Sequence, residues 1–445
     1  MNRSGEGRGM AEPKAKHDRW LYSVFPVSFA TGPLGTMVLL YLVELNGQTL
    51  GTIYGGLASA VFNGISIPAA LFWGVAIDRL HKRRALVALS YSLTAALLAS
   101  FYFVGSAGGT IAIYGMISFV SFASATPMNL LIMETEMKTR WANAFAKLSM
   151  ISSVGNVGGY VVGTIWAGAL PSQLVILFVP MGALSLVSAV LALLMIKEPL
   201  FVLERETLAR RRPSFFTRLL TNPVFFVTIP TLSDFERAFR GIRSTLTRSR
   251  PLFYMSTILF YISSGLFNTS FVPAMYLFTS SKAEVFGVIL AGLAVQTLAF
   301  RVAGKYVSSR SLTTTSIQGL MLRGWMYLAV GAAALFVRDP YFVFPALVFY
   351  PLASGVAFAV YYTSANTMMF TTIQSKGAGA ALGVYSAVVG IAAMLGAFAS
   401  GFISVSILSD GYYLTFILAA VFVFAAVGVV SRIPTPTSPE EGALE

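Results

Sequence analysis

From residue 20 to residue 432 the chain alternates between long apolar runs and short polar breaks. Twelve such runs fall at 20–46, 50–73, 85–105, 109–136, 141–168, 171–196, 251–279, 283–303, 312–337, 341–373, 377–406 and 410–431. A helix needs about 20 apolar residues to cross a bilayer core, and each run is long enough. In lipid a helix satisfies its own backbone polar groups, so each run predicts one membrane-spanning helix. Six runs precede a polar segment at 197–250 and six follow it. The expectation is an all-α membrane protein of twelve transmembrane helices. They form an N-terminal six-helix bundle (20–196), a linker (197–250) and a C-terminal six-helix bundle (251–432). Short cytoplasmic tails lie at 1–19 and 433–445.

Charge sharpens this. Charged residues make up 11% of the chain and hydrophobic residues 56%, against about 25% charged in an ordinary soluble domain. Such a chain cannot cover itself with a water-exposed polar surface. The net charge of +13 would otherwise suggest nucleic acid. If both termini are cytoplasmic, however, 27 of the 31 Lys and Arg residues fall on the inner side, in the tails, the linker, the inner loops or, for Arg301, the inner end of a run. Only Lys282 and Arg338 fall in outer loops. That is the positive-inside pattern, and it accounts for the basic charge without a nucleic-acid partner. The lipid bilayer is the predicted partner and the cell membrane the predicted location.

The first nineteen residues are polar and basic, which predicts a disordered tail rather than a secretory signal. In the linker, Phe235, Phe239, Ile242 and Leu246 recur at helical spacing among arginines. This predicts an amphipathic helix on the inner leaflet. The chain has no cysteine and two histidines, His17 and His81, so neither a metal site nor a cofactor is expected. The two halves repeat weakly. A shift of 237 residues places Asn129 on Asn366 and Gly159 on Gly396, and a shift of 235 places Tyr41-Leu42 on Tyr276-Leu277. Parallel repeats of this kind are a known transporter plan.

One charge cluster interrupts the apolar runs. The sequence GVAIDRLHKRR (Gly74 to Arg84) lies between the second and third runs. It resembles the loop 2–3 signature of the major facilitator superfamily, G-x-x-x-D-R-x-G-R-[RK]. Gly74, Asp78 and Arg79 match at their spacing, Lys82 and Arg83 supply the basic pair, and His81 stands where the family usually has Gly. The resemblance covers Trp20 to Arg432. It implies the two-bundle transporter fold, a monomer, and a small-molecule substrate carried by alternating access. It also implies that Gly74, Asp78 and Arg79 form an inner gate, with Asp78 facing the start of span 11. Lys82, Arg83 and Arg84 read simply as orientation determinants. The second half retains only Gly304 of a degenerate counterpart, RVAGKYVSSR.

Glycines are dense in span 5 (Gly155, Gly158, Gly159, Gly163) and span 11 (Gly383, Gly390, Gly396, Gly401). Small residues allow close helix approach, so span 5 is expected to pack on span 8 and span 11 on span 2. The spacing departs from the antiporter branch's G-x-x-x-G-P-x-x-G-G, and the proline is missing.

Polar groups at midplane are costly unless used. By depth the candidates are Asn63, Asn129, Asn156, Asn268, Gln296, Tyr361, Tyr362 and Asn366. The resemblance implies that spans 1, 4, 7 and 10 line the cavity. That narrows the substrate-binding set to Asn129, Asn268, Tyr361, Tyr362 and Asn366, with a break at Gly32-Pro33. Interhelical hydrogen bonding is the plainer role for each. Glu44 and Glu134, near span ends, are the candidates for ion coupling. No carboxylate falls at midplane, and Arg323 is expected to snorkel from the inner half of span 9. This favours a neutral or amphipathic solute over a multiply charged one. A uniporter of the same fold and a non-transporting receptor or scaffold are the rival readings. An enzyme is not expected: there is no HExxH, no cysteine and no midplane carboxylate pair.

Overall fold

The computed structural model describes residues 19–80, 82–135, 141–170, 173–196, 251–337, 340–372, 378–406 and 411–433. The two tails apart from Arg19 and Ile433, the linker with its expected amphipathic helix, and His81 lie outside the described residues. Among the described residues there is no strand. The helices are α1 (Val24–Thr31), α2 (Leu34–Leu80), α3 (Arg83–Ser100), α4 (Ala107–Thr135), α5 (Trp141–Ala169) and α6 (Leu174–Met195). After the linker come α7 (Pro251–Thr279), α8 (Lys282–Ser308), α9 (Leu312–Phe336) and α10 (Val343–Tyr350). A π-helical stretch, Pro351–Ala357, carries α10 into α11 (Phe358–Thr372). α12 (Ala378–Ser406) and α13 (Tyr412–Val430) complete the chain. Among the described residues, eleven helical stretches are long and apolar enough to cross a membrane, the first running over Arg19–Gly74.

That first stretch is bent back on itself. Within α2, Gly47 has φ 76° and ψ 172°, a region of backbone space that is essentially closed to any residue with a Cβ. The break falls at the polar tripeptide Asn46-Gly47-Gln48, where the apolar pattern itself is interrupted. It divides α2 into a first arm, 34–46, and a second arm, 48–80.

Helices before the linker pack mainly on one another: α1 on α5 and α6, α3 on α4 and α6, and α2 on α4. Those after it do the same, with α7 on α12 and α13, and α9 on α11 and α13. The two sets meet along α2 with α12, α5 with α8, and α2 with α7. Hydroxyl groups tie the helices together where no water can. Ser263 donates to the Ala419 carbonyl at 2.7 Å and Ser185 to the Tyr91 carbonyl at 2.9 Å. Ser270 bridges α7 to Ser400 and Ser404 of α12, and Ser404 meets Thr415 of α13. A buried hydroxyl without such a partner would carry its full desolvation cost.

The glycines of α5 do not divide as the span-5-on-span-8 expectation has it. Gly155, Gly158 and Gly159 all face α1, and Gly163 alone among these faces Phe286 of α8. The reason lies in Pro33. Proline has no N–H, so the carbonyl four residues earlier, on Phe29, loses its helical partner. Gly159 is packed directly on that carbonyl and on the Pro33 ring. The chain stays helical at Gly32, with φ −52° and ψ −55°, so Gly32-Pro33 marks a docking place for α5 rather than an open break. On α12, Gly390 and Gly401 face α2, while Gly396 faces Ile262 and Gly265 of α7.

Candidate functional site

A cavity of about 450 Å³ lies between the two sets of helices, within the size range of small-molecule sites. From the first set it is lined by Thr36, Ser59, Asn63, Tyr114 and Tyr160. From the second it is lined by Tyr261, Ser264, Asn268, Gln296, Arg323, Tyr350 and Ser354, with Phe271 and Phe358 among the apolar members. The lining is aromatic and hydroxyl-rich. Tyr160 and Thr36 share a 2.7 Å hydrogen bond between α5 and α2. Tyr114 stacks on Phe62 at 4.4 Å between ring centres. Ser264 and Asn268 are four residues apart on α7, so both side chains project from one helix face.

Arg323 is the charged member of this described lining. It is 1% exposed, and it does not snorkel. It sits eleven residues into α9, about 16 Å along a helix rising 1.5 Å per residue, too deep for its stem to reach either end. Its Nε donates to the Tyr327 hydroxyl at 2.7 Å and its Nη2 to the Ser264 hydroxyl at 3.1 Å. Its Nη1 has no hydrogen-bond partner. The guanidinium carbon lies 4.6 Å from the Phe260 ring centre, 5.1 Å from Tyr327 and 5.4 Å from Phe358. Electron-rich ring faces offset part of the cost of burying a cation.

Of the five substrate-binding candidates, the structure places Asn268 in the cavity lining. Tyr361 is 3% exposed, its ring 4.1 Å from that of Phe260. Tyr362 stacks on Phe358 at 5.2 Å and packs edge-on to Phe300 at 6.1 Å. These two, with Asn129 and Asn366, are not among the lining residues. Asn63 and Gln296, which the choice of spans excludes because they fall on spans 2 and 8, do line it. Sequence reasoning misses the four lining tyrosines, and it singles out Arg323 only as a snorkelling charge, not as a member of the site. Depth along the spans is the signal that finds Asn63 and Gln296; nothing in the local sequence distinguishes the lining tyrosines from the many that pack in the interior. Asn156 sits against Gly32 at the α1–α5 contact.

One end of the cavity is covered by bonds between the two sets. Glu44 accepts from Lys282 Nζ at 2.7 Å, joining α2 to α8. Gln48 Nε2 donates to the Pro273 carbonyl at 2.9 Å and to the Tyr412 hydroxyl at 3.1 Å. Thr52 and Tyr412 share a further bond of 2.9 Å. Just beneath, Gly56 of α2 meets Gly401 of α12 so closely that a Cβ on Gly56 would lie 2.6 Å from the Gly401 Cα. Glu44 thus lies at the covered end, away from the cavity lining. Gly74, at the other end of α2, is buried. The side chains of Asp78, Arg79 and Glu134 lie outside the described residues, although their backbones are in α2 and α4.

The Glu44–Lys282 pair is partly exposed, at 35% and 7%, so removing it should weaken closure rather than abolish it. Either Glu44→Gln or Lys282→Met should make this end more accessible to a membrane-impermeant thiol reagent at a nearby engineered cysteine. The exchanged pair, Glu44→Lys with Lys282→Glu, should restore most of the protection. A swap as accessible as the single variants would mean that the pair does not hold this end shut.

No protein-family description matches the chain, and no curated protein sequence matches it. Among solved structures it is similar to a mutant form of the nucleoside transporter NupG, at 14% identity over 94% of this chain and 98% of that one, with TM-score 0.66. It is also similar to a partially occluded inward open form of the xylose transporter XylE from E. coli, at 12% identity, 95% and 98% coverage and TM-score 0.68. A third is a POT family transporter in complex with a thioalcohol-conjugated peptide, at 14% identity, 93% and 94% coverage and TM-score 0.67.

Proposed function

We propose, starting from a multi-pass chain with the major facilitator type of transporter fold, that this protein moves a small amphipathic organic solute across the cell membrane by alternating access. The observation that carries this reading is a polar, aromatic cavity lined from both sets of helices and covered at one end by bonds between them. Two bodies that share a binding site and touch through separable contacts are what a rocking mechanism requires. The reading counts the two sides of Gly47 as separate spans. That makes twelve, in two six-helix halves at 20–196 and 251–432, with both termini cytoplasmic and the Glu44 end outward. The protein works as a monomer.

In this reading Asn268, Asn63 and Gln296 offer the solute amide groups from both halves. Asn129, Tyr361, Tyr362 and Asn366 support the walls. Gly74, Asp78 and Arg79 form the inner latch that closes when the Glu44 end opens. Among the described lining residues there is one cation and no carboxylate. That favours, as a second reading, movement without proton coupling; Glu44 and Glu134 remain the coupling candidates if an ion is carried.

The test is counterflow of a labelled solute in proteoliposomes. Asp78→Asn should lower flux by about tenfold or more, the loss of roughly one charge-assisted contact in a closing step. Its level in the membrane should match that of the parent. Unchanged flux would remove Asp78 from the gate. No flux with any small organic solute, in a protein whose purified form unfolds cooperatively, would favour the receptor or scaffold reading.

A further inference from the structure

Arg323 is poorly explained as a packing residue. A guanidinium keeps its charge inside proteins, and burial of an unpaired ion is expensive. Among the described residues lining the cavity there is no Asp or Glu to pair with it. Its Nε and Nη2 are used by Tyr327 and Ser264, yet buried Nη1 has no acceptor. Three aromatic rings hold the cation from its own half of the molecule. The site therefore stabilises a positive charge without neutralising it and leaves one buried donor nitrogen unpartnered on a residue that lines the cavity.

We propose that Arg323 is the anchor for the carboxylate of a small amphipathic organic monoanion bound in this cavity. The inference rests on the transport reading and deepens it. One carboxylate oxygen accepts from Nη1 and the second reaches the Nη2 edge beside Ser264, the two-pronged geometry in which a guanidinium and a carboxylate match best. Asn268, one turn along α7 from Ser264, lines the same cavity and has an amide to offer. The apolar part of the ligand lies against Tyr350, Phe271 and Phe358. A phosphate monoester is disfavoured because its second charge would find no second cation in the described lining. A neutral solute is disfavoured because it would leave the guanidinium unpaired in the loaded state.

The full-length protein is tested in detergent with a matched pair of probes, 3-phenylpropionate and 3-phenylpropionamide, and with phenyl phosphate as a third arm. The acid should raise the unfolding temperature by about 3 °C or more at saturating concentration, with the amide and the phosphate giving clearly smaller shifts. Arg323→Gln should abolish the preference for acid over amide, and Arg323→Lys should keep part of it. Ser264→Ala, which removes the hydroxyl that holds Nη2 but keeps the guanidinium, should reduce the preference without abolishing it. That variant and the wild-type comparison stand if Arg323→Gln fails to fold. Equal shifts for acid and amide, a larger shift for the phosphate, no shift with the acid, or an acid preference that survives Arg323→Gln would each overturn the proposal. Counterflow of labelled 3-phenylpropionate separates this from the transport reading. Arg323-dependent binding without flux would leave the anchor standing and sink transport. Flux of the amide with no preference for the acid would do the reverse.

Discussion

Replacing Gly56 by leucine should reduce transport to less than about a tenth of the parent's while leaving the protein inserted and folded. The effect is steric. A Cβ at residue 56 would lie 2.6 Å from the Gly401 Cα, 3.0 Å from its nitrogen and 3.2 Å from the Ala397 carbonyl. All three are backbone atoms, which cannot rotate away as a side chain would. α2 and α12 belong to different sets of helices, so neither set need unfold to relieve the clash; the two can simply stay apart at this end. The Glu44–Lys282, Gln48–Tyr412 and Thr52–Tyr412 bonds would then be out of reach. The chain has no native cysteine, so the separation can be read directly. Bridged by a short bifunctional thiol reagent, a Glu44→Cys, Lys282→Cys pair should couple more efficiently in the parent background than with Gly56→Leu. Cross-linking that is equally efficient in both backgrounds would show that the close approach of α2 and α12 does not govern closure.

Gly159→Leu should act differently, because its contact lies within one set of helices. There Gly159 rests on the Phe29 carbonyl, with a Cβ position 2.8 Å from the Pro33 ring. Separating α5 from α1 would open the first set itself. Overpacking typically costs about 1–3 kcal/mol, and contact with fixed backbone falls at the upper end, a large share of the stability of an ordinary domain. Gly159→Leu should therefore accumulate poorly and unfold well below the parent in detergent, with Gly159→Ala intermediate. A Gly159→Leu protein with parental thermal stability would mean that α1 and α5 are not held at this distance.

The contrast between these two glycines also marks how far the sequence can be read. Both stand out as small residues in apolar runs, and the runs themselves place the helices well. The boundary at Gly47 is visible because a polar tripeptide interrupts two hydrophobic stretches. What a run of apolar residues cannot specify is rotation about its own axis, since lipid and protein interior are equally apolar and no amphipathic stripe is needed. Thus the importance of Gly159 is legible, yet its partner is α1 and not the expected α8. The same gap affects the site. Ranking by depth finds Asn63, Asn268 and Gln296; filtering by span then discards two of them. Arg323 departs from expectation because a charge in an apolar run escapes to the nearer interface only when the interior is hostile, and its neighbours Phe260 and Tyr327 make the interior tolerable. Those rings come from α7 and α9, and only the folded arrangement brings Phe358 of α11 beside them.

The π-helical stretch at Pro351–Ala357 has a consequence for the wall it belongs to. Each turn of a π-helix takes up an additional residue, so the helix beyond it is out of phase with the helix before it by roughly the 100° that one α-helical residue subtends. Tyr350 before this slip, Ser354 within it and Phe358 just after it all reach the same cavity. Tyr361 and Tyr362, immediately beyond, are aimed at Phe260 and Phe300 instead. The stretch works as an indexing joint: reverting it to regular α-helix would leave the rod nearly the same length but point every side chain from Phe358 to Met369 in a new compass direction.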